Sequence, residues 1–152
     1  MLRAVLCLLL CVFAAAGTEL PEIASVYLLP MSGGLDQHLA SQLTRQGVWR
    51  VVTEPLKADA VITDRLGEAF EKWMADQERE AAGEPEEQEQ TQTRPPVRPF
   101  VSGAAKGTIF VVHPRTREVV WSSYERPRGV NAERLEQAAE RHVTRLKKAL
   151  GK

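Results

Sequence analysis

One stretch, VYLLPMSGGLDQHLASQLTRQGVWRVV at residues 26–52, constrains the fold of this chain most strongly. It opens with an apolar run that ends at Pro30, which cannot donate to a sheet ladder, so residues 26–30 read as a buried strand. Two glycines follow. Leu35, Leu39 and Leu43 then recur every four residues, which lays them along one helical face. Asp36 fits the first turn of that helix as an acid or cap, and Gly47 fits its stop. Residues 48–53, VWRVVT, are β-rich and read as a second strand. Strand, helix and strand in so short a span form a right-handed βαβ unit with parallel strands.

The rest of the chain extends that unit. ADAVITD at residues 58–64 reads as a third strand. Phe70, Trp73 and Met74 mark a short amphipathic helix at about 68–81. Residues 83–100 then lose nearly all apolar side chains and gain glutamates and prolines, a composition that cannot offset chain entropy and predicts a disordered loop. The segment Pro96-Val97-Arg98-Pro99 fits a PxxP pattern but reads as a stiff linker. Residues 107–112 and 118–124 are β-rich runs joined by the polar turn His113-Pro114-Arg115-Thr116-Arg117, which predicts a hairpin.

Asn131 caps a final helix whose apolar face is Leu135, Ala138, Ala139, His142, Val143, Leu146, Ala149 and Leu150. The predicted order is therefore β-α-β-β-(short α)-loop-β-β-α. It describes an α/β two-layer sandwich: a mixed sheet of about five strands with two main helices on one face.

The amino terminus sets the expected compartment. A positive charge at Arg3, an apolar run over residues 4–13 and the small residues Ala14-Ala15-Ala16-Gly17 predict a signal peptide at 1–17, cleaved after Ala16 or Gly17. The run is too short to span a bilayer as a helix, which takes about 20 residues, and no transmembrane segment is expected in the mature chain. Cys7 and Cys11 both lie inside the peptide, and neither follows a small residue as a lipid-attachment cysteine does, so no lipoprotein is expected. Residues 18–152 remain as one domain without thiols. Lys plus Arg and Asp plus Glu are both 20, a balance that argues against nucleic-acid binding.

No motif for catalysis stands out. The Met31-Ser32-Gly33-Gly34 loop precedes a helix, but no lysine occurs before Lys57, so a phosphate-gripping loop is not predicted and a simple turn is. His38, His113 and His142 are scattered, no His-x-x-x-His pair exists for zinc, and no Gly-x-Ser-x-Gly elbow exists around any serine. Ser122 and Ser123 alternate in a strand with no base predictable near either. Asp59, Asp64 and Glu68 read as solvated carboxylates rather than metal ligands. The expectation is a protein that is not an enzyme and has no cofactor, metal or catalytic residue.

Three stretches carry a family resemblance: VYLLPMSGGLDQHLASQLTRQGVWRVV, ADAVITDRLG and GTIFVVHPRTREVVWSS. They resemble the opening βαβ unit, third strand and late hairpin of a group of envelope domains. That group comprises the amino-terminal domain of the Tol-Pal protein TolB, the curli-secretion lipoprotein and the outer-membrane activators of peptidoglycan synthases. Unlike these, the present chain has no lipobox cysteine and carries a Glu/Pro-rich loop. The resemblance implies a periplasmic, non-enzymatic adaptor of the bacterial cell envelope that binds a partner protein. The expected contact surfaces are the open sheet face and edge, the helix residues Phe70, Trp73 and Met74, and the basic turn residues Arg115 and Arg117. The alternative is a carrier of a small hydrophobic ligand, held in a cavity lined by Leu39, Val111 and Val143. Trp49, Trp73 and Trp121 divide between core and interface, with Trp121 the strongest core candidate.

Overall fold

The computed structural model describes residues 22–83, 107–126, 128–129 and 131–152. The signal peptide predicted at 1–17 lies outside these residues, as does nearly all of the loop predicted at 83–100. Five strands form one mixed sheet: β1 (Ser25–Leu28), β2 (Arg50–Val51), β3 (Ala60–Thr63), β4 (Thr108–Val112) and β5 (Val119–Tyr124). Among the described residues three α-helices accompany it: α1 (Leu35–Arg45), α2 (Glu68–Ala82) and α3 (Ala132–Ala149). The strand order is β2-β1-β3-β4-β5, with β1 parallel to both β2 and β3, and β4 antiparallel to β3 and β5. The α/β architecture and element order follow the sequence pattern.

The helix ends show why the chain folds this way locally. Gly33 and Gly34 take left-handed backbone angles, φ 72° and 82°, which reverse the chain from β1 into α1 without a Cβ clash. At the other end Gly47 is left-handed at φ 61°, and Val48 N–H reaches back to the Leu43 carbonyl at 3.1 Å, a Schellman closure. Asn131 caps α3, its side-chain oxygen accepting from Arg134 N–H at 3.0 Å.

Side chains alternate across the sheet and fill two cores. Val26, Ala60, Ile62, Ile109 and Val111 point to one face, where Leu35, Leu39 and Leu43 of α1 and Ala139, Val143 and Leu146 of α3 cover them. Val61 and Val112 point to the other face, against Phe70 and Met74 of α2. All four residues of β3 are buried, because helices cover this central strand on both faces. Glu136 of α3 ties the two main helices together, accepting from Gln42 and Arg45 at 2.7 Å and contacting His38 Nδ1 at 3.0 Å.

Two expectations change. Of the strand predicted at 48–53, only Arg50–Val51 pairs as a strand. Val48 and Trp49 belong to the turn that closes α1 and point into the core, both nearly fully buried. Trp121 is half-buried against the main core because it lies on an edge strand, so Trp49 rather than Trp121 is the core tryptophan. Among the described residues, no helix is long and apolar enough to cross a membrane.

Candidate functional site

The glycine loop is closed by the protein's own carboxylates. Met31 N–H donates to Asp36 Oδ1 at 3.0 Å and Ser32 N–H to Asp64 Oδ2 at 2.9 Å. Both carboxylates are buried, so an incoming anion would have to displace fixed negative charge. The loop serves as a turn. Asp36 satisfies the backbone ahead of the helix rather than capping the helix itself, whose N-cap position is Gly34.

The residues expected to form a contact surface are not brought into one patch. Phe70 and Met74 are buried against the second sheet face, and Trp73 is half-buried with its ring stacked on Tyr27 at 5.7 Å and 16°. Their role is to cover that face, which the sequence pattern had left open to partners. Arg117 has φ 61° and ties the hairpin turn to α2, with Nη2 at 2.8 Å from Glu78 and Nε at 3.7 Å from Glu71. Arg115 remains exposed at the turn. Leu39, Val111 and Val143, the lining expected for a hydrophobic ligand, are each 1% exposed or less within the packed core.

A polar cluster that the sequence did not suggest lies where β5 meets α3. Ser123 Oγ and His142 Nδ1 are 3.1 Å apart, and both residues are buried. Glu125, also buried, sits 2.6 Å from Arg141 Nε, a close ion contact rather than an aligned hydrogen bond, and accepts from Arg145 Nη2 at 2.9 Å. Arg145 Nη1 also donates to the Tyr124 carbonyl and approaches Ser123 Oγ at 3.4 Å. The signal in sequence was Arg141, His142 and Arg145 at helical spacing. The strand residues they meet are 16 to 22 positions away and carry no motif.

Burial lowers the His142 pKa to about 4, against the Glu125 charge that favours protonation; Arg145 and Arg141 push it down further. So weak a base gives a serine little assistance at neutral pH. The serine also meets Nδ1 in a buried setting, so the pair is not arranged as an exposed nucleophile and base. His142 Nε2 is buried and has no partner among the described residues. Leaving such a group unmatched costs about 1–3 kcal/mol.

The remaining histidines stand apart. His38 meets Glu136, and His113 Nδ1 accepts from Thr116 N–H at 3.2 Å in the hairpin turn. No group of three or more His, Cys, Asp or Glu side chains placed to hold a metal ion occurs among the described residues.

Beside the polar cluster is a cavity of about 100 Å³. It lies at the end of the sheet where β1 and β3 finish, between the glycine loop, the segment after β5 and the first turns of α3. Leu35, Leu135 and Ala138 supply apolar walls, His142 lines it, and Arg126, Arg128, Arg134 and Arg141 line it as cations. Its two acids are already engaged: Asp64 by Ser32 N–H and Arg65, Glu125 by Arg141 and Arg145.

The outer edge of β5 is the other distinctive surface. The register pairs Ile109 with Ser123 and Val111 with Trp121, and Glu125 N–H donates to the Gly107 carbonyl at 2.7 Å. The two-residue alternation of an antiparallel ladder therefore turns the main-chain groups of Ser122 and Tyr124 away from β4. Among the described residues no strand pairs with them, and only the Tyr124 carbonyl is covered, by Arg145. The strand itself, VVWSSY, carries no charge, and Val119 and Tyr124 are 44% and 58% exposed. Comparison of the chain with protein-family models, with curated proteins and with solved structures returned no match.

Proposed function

We propose that this protein is an exported, periplasmic, non-enzymatic adaptor of the bacterial cell envelope. It binds a partner protein by accepting a strand of that partner along the outer edge of β5. One observation carries this reading: the longest strand of the sheet lies at its edge, uncharged and with outward main-chain donors and acceptors. Edge strands are commonly protected by lysine, proline or extreme shortness. The opposite edge, β2, follows that rule with two residues and Arg50. β5 does not, and main-chain pairing at such an edge supplies affinity while the flanking side chains supply specificity. The signal-peptide pattern supports the compartment, and the resemblance to envelope domains supports the adaptor role. The low basicity of His142 and the burial of Ser123 favour binding over catalysis.

The test is photo-crosslinking in the host cell from residues placed at Ser122 and Tyr124, with fractionation of the same samples. The expected result is a processed chain in the periplasmic fraction and one dominant envelope protein in the adduct. Ser122→Pro removes an outward N–H without touching the β4 ladder, and Tyr124→Lys adds an edge charge; each should abolish the adduct. An exported chain without a protein adduct at β5 overturns the binding mode. A chain retained in the cytoplasm overturns the compartment.

A further inference from the structure

We infer that the strand accepted along β5 carries carboxylate side chains at the end that lies over the carboxy-terminal end of β5, so that the partner is recognised through an acid-flanked segment. This inference rests on the β5 reading and names the chemistry of what that edge accepts.

The ladder open to an incoming strand ends at a cation. Towards the end of β5 the outward groups are the N–H and C=O of Ser122 and the N–H of Tyr124, because Arg145 Nη1 donates to the Tyr124 carbonyl. A strand laid on this edge pairs as far as Tyr124 and then meets a guanidinium in place of a main-chain acceptor. A guanidinium can only donate, so the partner must present an acceptor there. Arg145 has donors left for it. Ser123 Oγ, the Tyr124 carbonyl and Glu125 take three of its five N–H groups, and its side chain is 50% exposed.

Charge then selects the acceptor. Lys plus Arg and Asp plus Glu are both 20 in the chain, yet arginines gather at this one place. Arg126 and Arg128 follow β5, and Arg134, Arg141 and Arg145 lie on α3 at a spacing that sets them along one side of the helix. Glu125 offsets part of that charge through Arg141 and Arg145, and Asp64 is held by Ser32 N–H and Arg65. Glu133, in the first turn of α3, accepts from Gln137 and does not line the cavity there. Arg126, Arg128 and Arg134 are exposed and make no ion pair among the described residues. The excess is positive, and a carboxylate accepts from a guanidinium through two oxygens at once. The opposite end of β5 has no such excess: Arg117 is matched by Glu71 and Glu78, and Arg115 is offset by Glu118 in the same connection. The attraction therefore acts at one end of the added strand and gives it a direction. An anion without a strand would satisfy the arginines and leave Ser122 unpaired.

The experiment is fluorescence anisotropy of labelled peptides on the mature chain. Each peptide has the strand-forming core Thr-Val-Thr-Val-Thr and an amidated end. One carries three glutamates before the core, one carries them after it, and one carries glutamines at both ends. One of the two acidic peptides should bind roughly tenfold more tightly than the glutamine peptide at low salt, and the gain should vanish at about 500 mM salt. Gain from acids before the core marks an antiparallel strand, and from acids after it a parallel one. Arg126→Gln, Arg128→Gln and Arg134→Gln together, all at exposed side chains, should erase the gain and leave the glutamine peptide's affinity and the urea midpoint in place. Equal binding of all three peptides, an equal gain for both acidic ones, or a gain that survives the arginine changes overturns the inference and leaves the β5 reading standing. Acidic-peptide binding that Ser122→Pro leaves unchanged overturns the β5 reading and the inference together. Sedimentation with phosphatidylglycerol vesicles, without a gain for either acidic peptide, overturns the inference in favour of an anionic membrane surface.

Discussion

Burial of His142 makes the protein's stability depend on pH in a defined window. Its pKa falls from 6.5 to about 4 on folding, chiefly because the folded interior disfavours the charged ring. The unfolded chain therefore takes up the proton first as pH falls. Stability is complete above about 6.5, declines as pH drops below that value and stops declining below about 4. Linkage gives a loss of about 2 kcal/mol between pH 8 and pH 5, and about 3 kcal/mol once pH is below both values. Two carboxyls are lowered on folding as well, and stability is lost through them in the same direction, but at lower pH. Asp59 is lowered by hydrogen bonds from Ser25 and Ala24, and Glu136 by those from His38 and Arg45. Their contributions are present above their ordinary values of 3.8 and 4.5 and fade only at more acid pH. The interval from pH 8 to pH 5 thus isolates His142 from these two. The assay is urea unfolding at several pH values for the native chain and for His142→Asn, which keeps a polar group near the Nδ1 position. The native chain should lose about 2 kcal/mol more than the variant across that interval at unchanged m-value. Equal losses in both proteins would show that His142 is not held neutral in the fold.

Leu39→Ala should cost about 2–5 kcal/mol, since its side chain is 1% exposed between α1, α3 and the sheet; Leu56→Ala, at 61% exposure, should stay within about 0.5 kcal/mol, both read from urea midpoints. Gly34→Ala should destabilise by about 1–2 kcal/mol through backbone strain alone, because φ is +82° and a Cβ there meets nothing within 4 Å. Gly34→Asn should recover part of that loss, both changes read from thermal melts. Asn131→Ala should cost about 1 kcal/mol, with faster amide exchange confined to the first turn of α3.

The sequence by itself determined the element order, the buried face of α1 and of α3, and three of the punctuating residues, Gly34, Gly47 and Asn131. These depend on periodicity and on backbone chemistry within a few residues, which a single chain displays directly. It also displayed an apolar stripe at Phe70, Trp73 and Met74, but a stripe states only that something covers it. Tertiary packing decided that the cover is the second face of the sheet, because β1, β3 and β4 place Tyr27, Val61 and Val112 there. Packing likewise reduced β2 to two residues by drawing Trp49 into the core, and it put β5 at an edge. The polar cluster was illegible for the same reason. Ser123 and His142 are 19 residues apart, and Glu125 and Arg145 are 20 apart. Only the docking of α3 across β5 makes neighbours of them, and it is that docking which removes His142 from water.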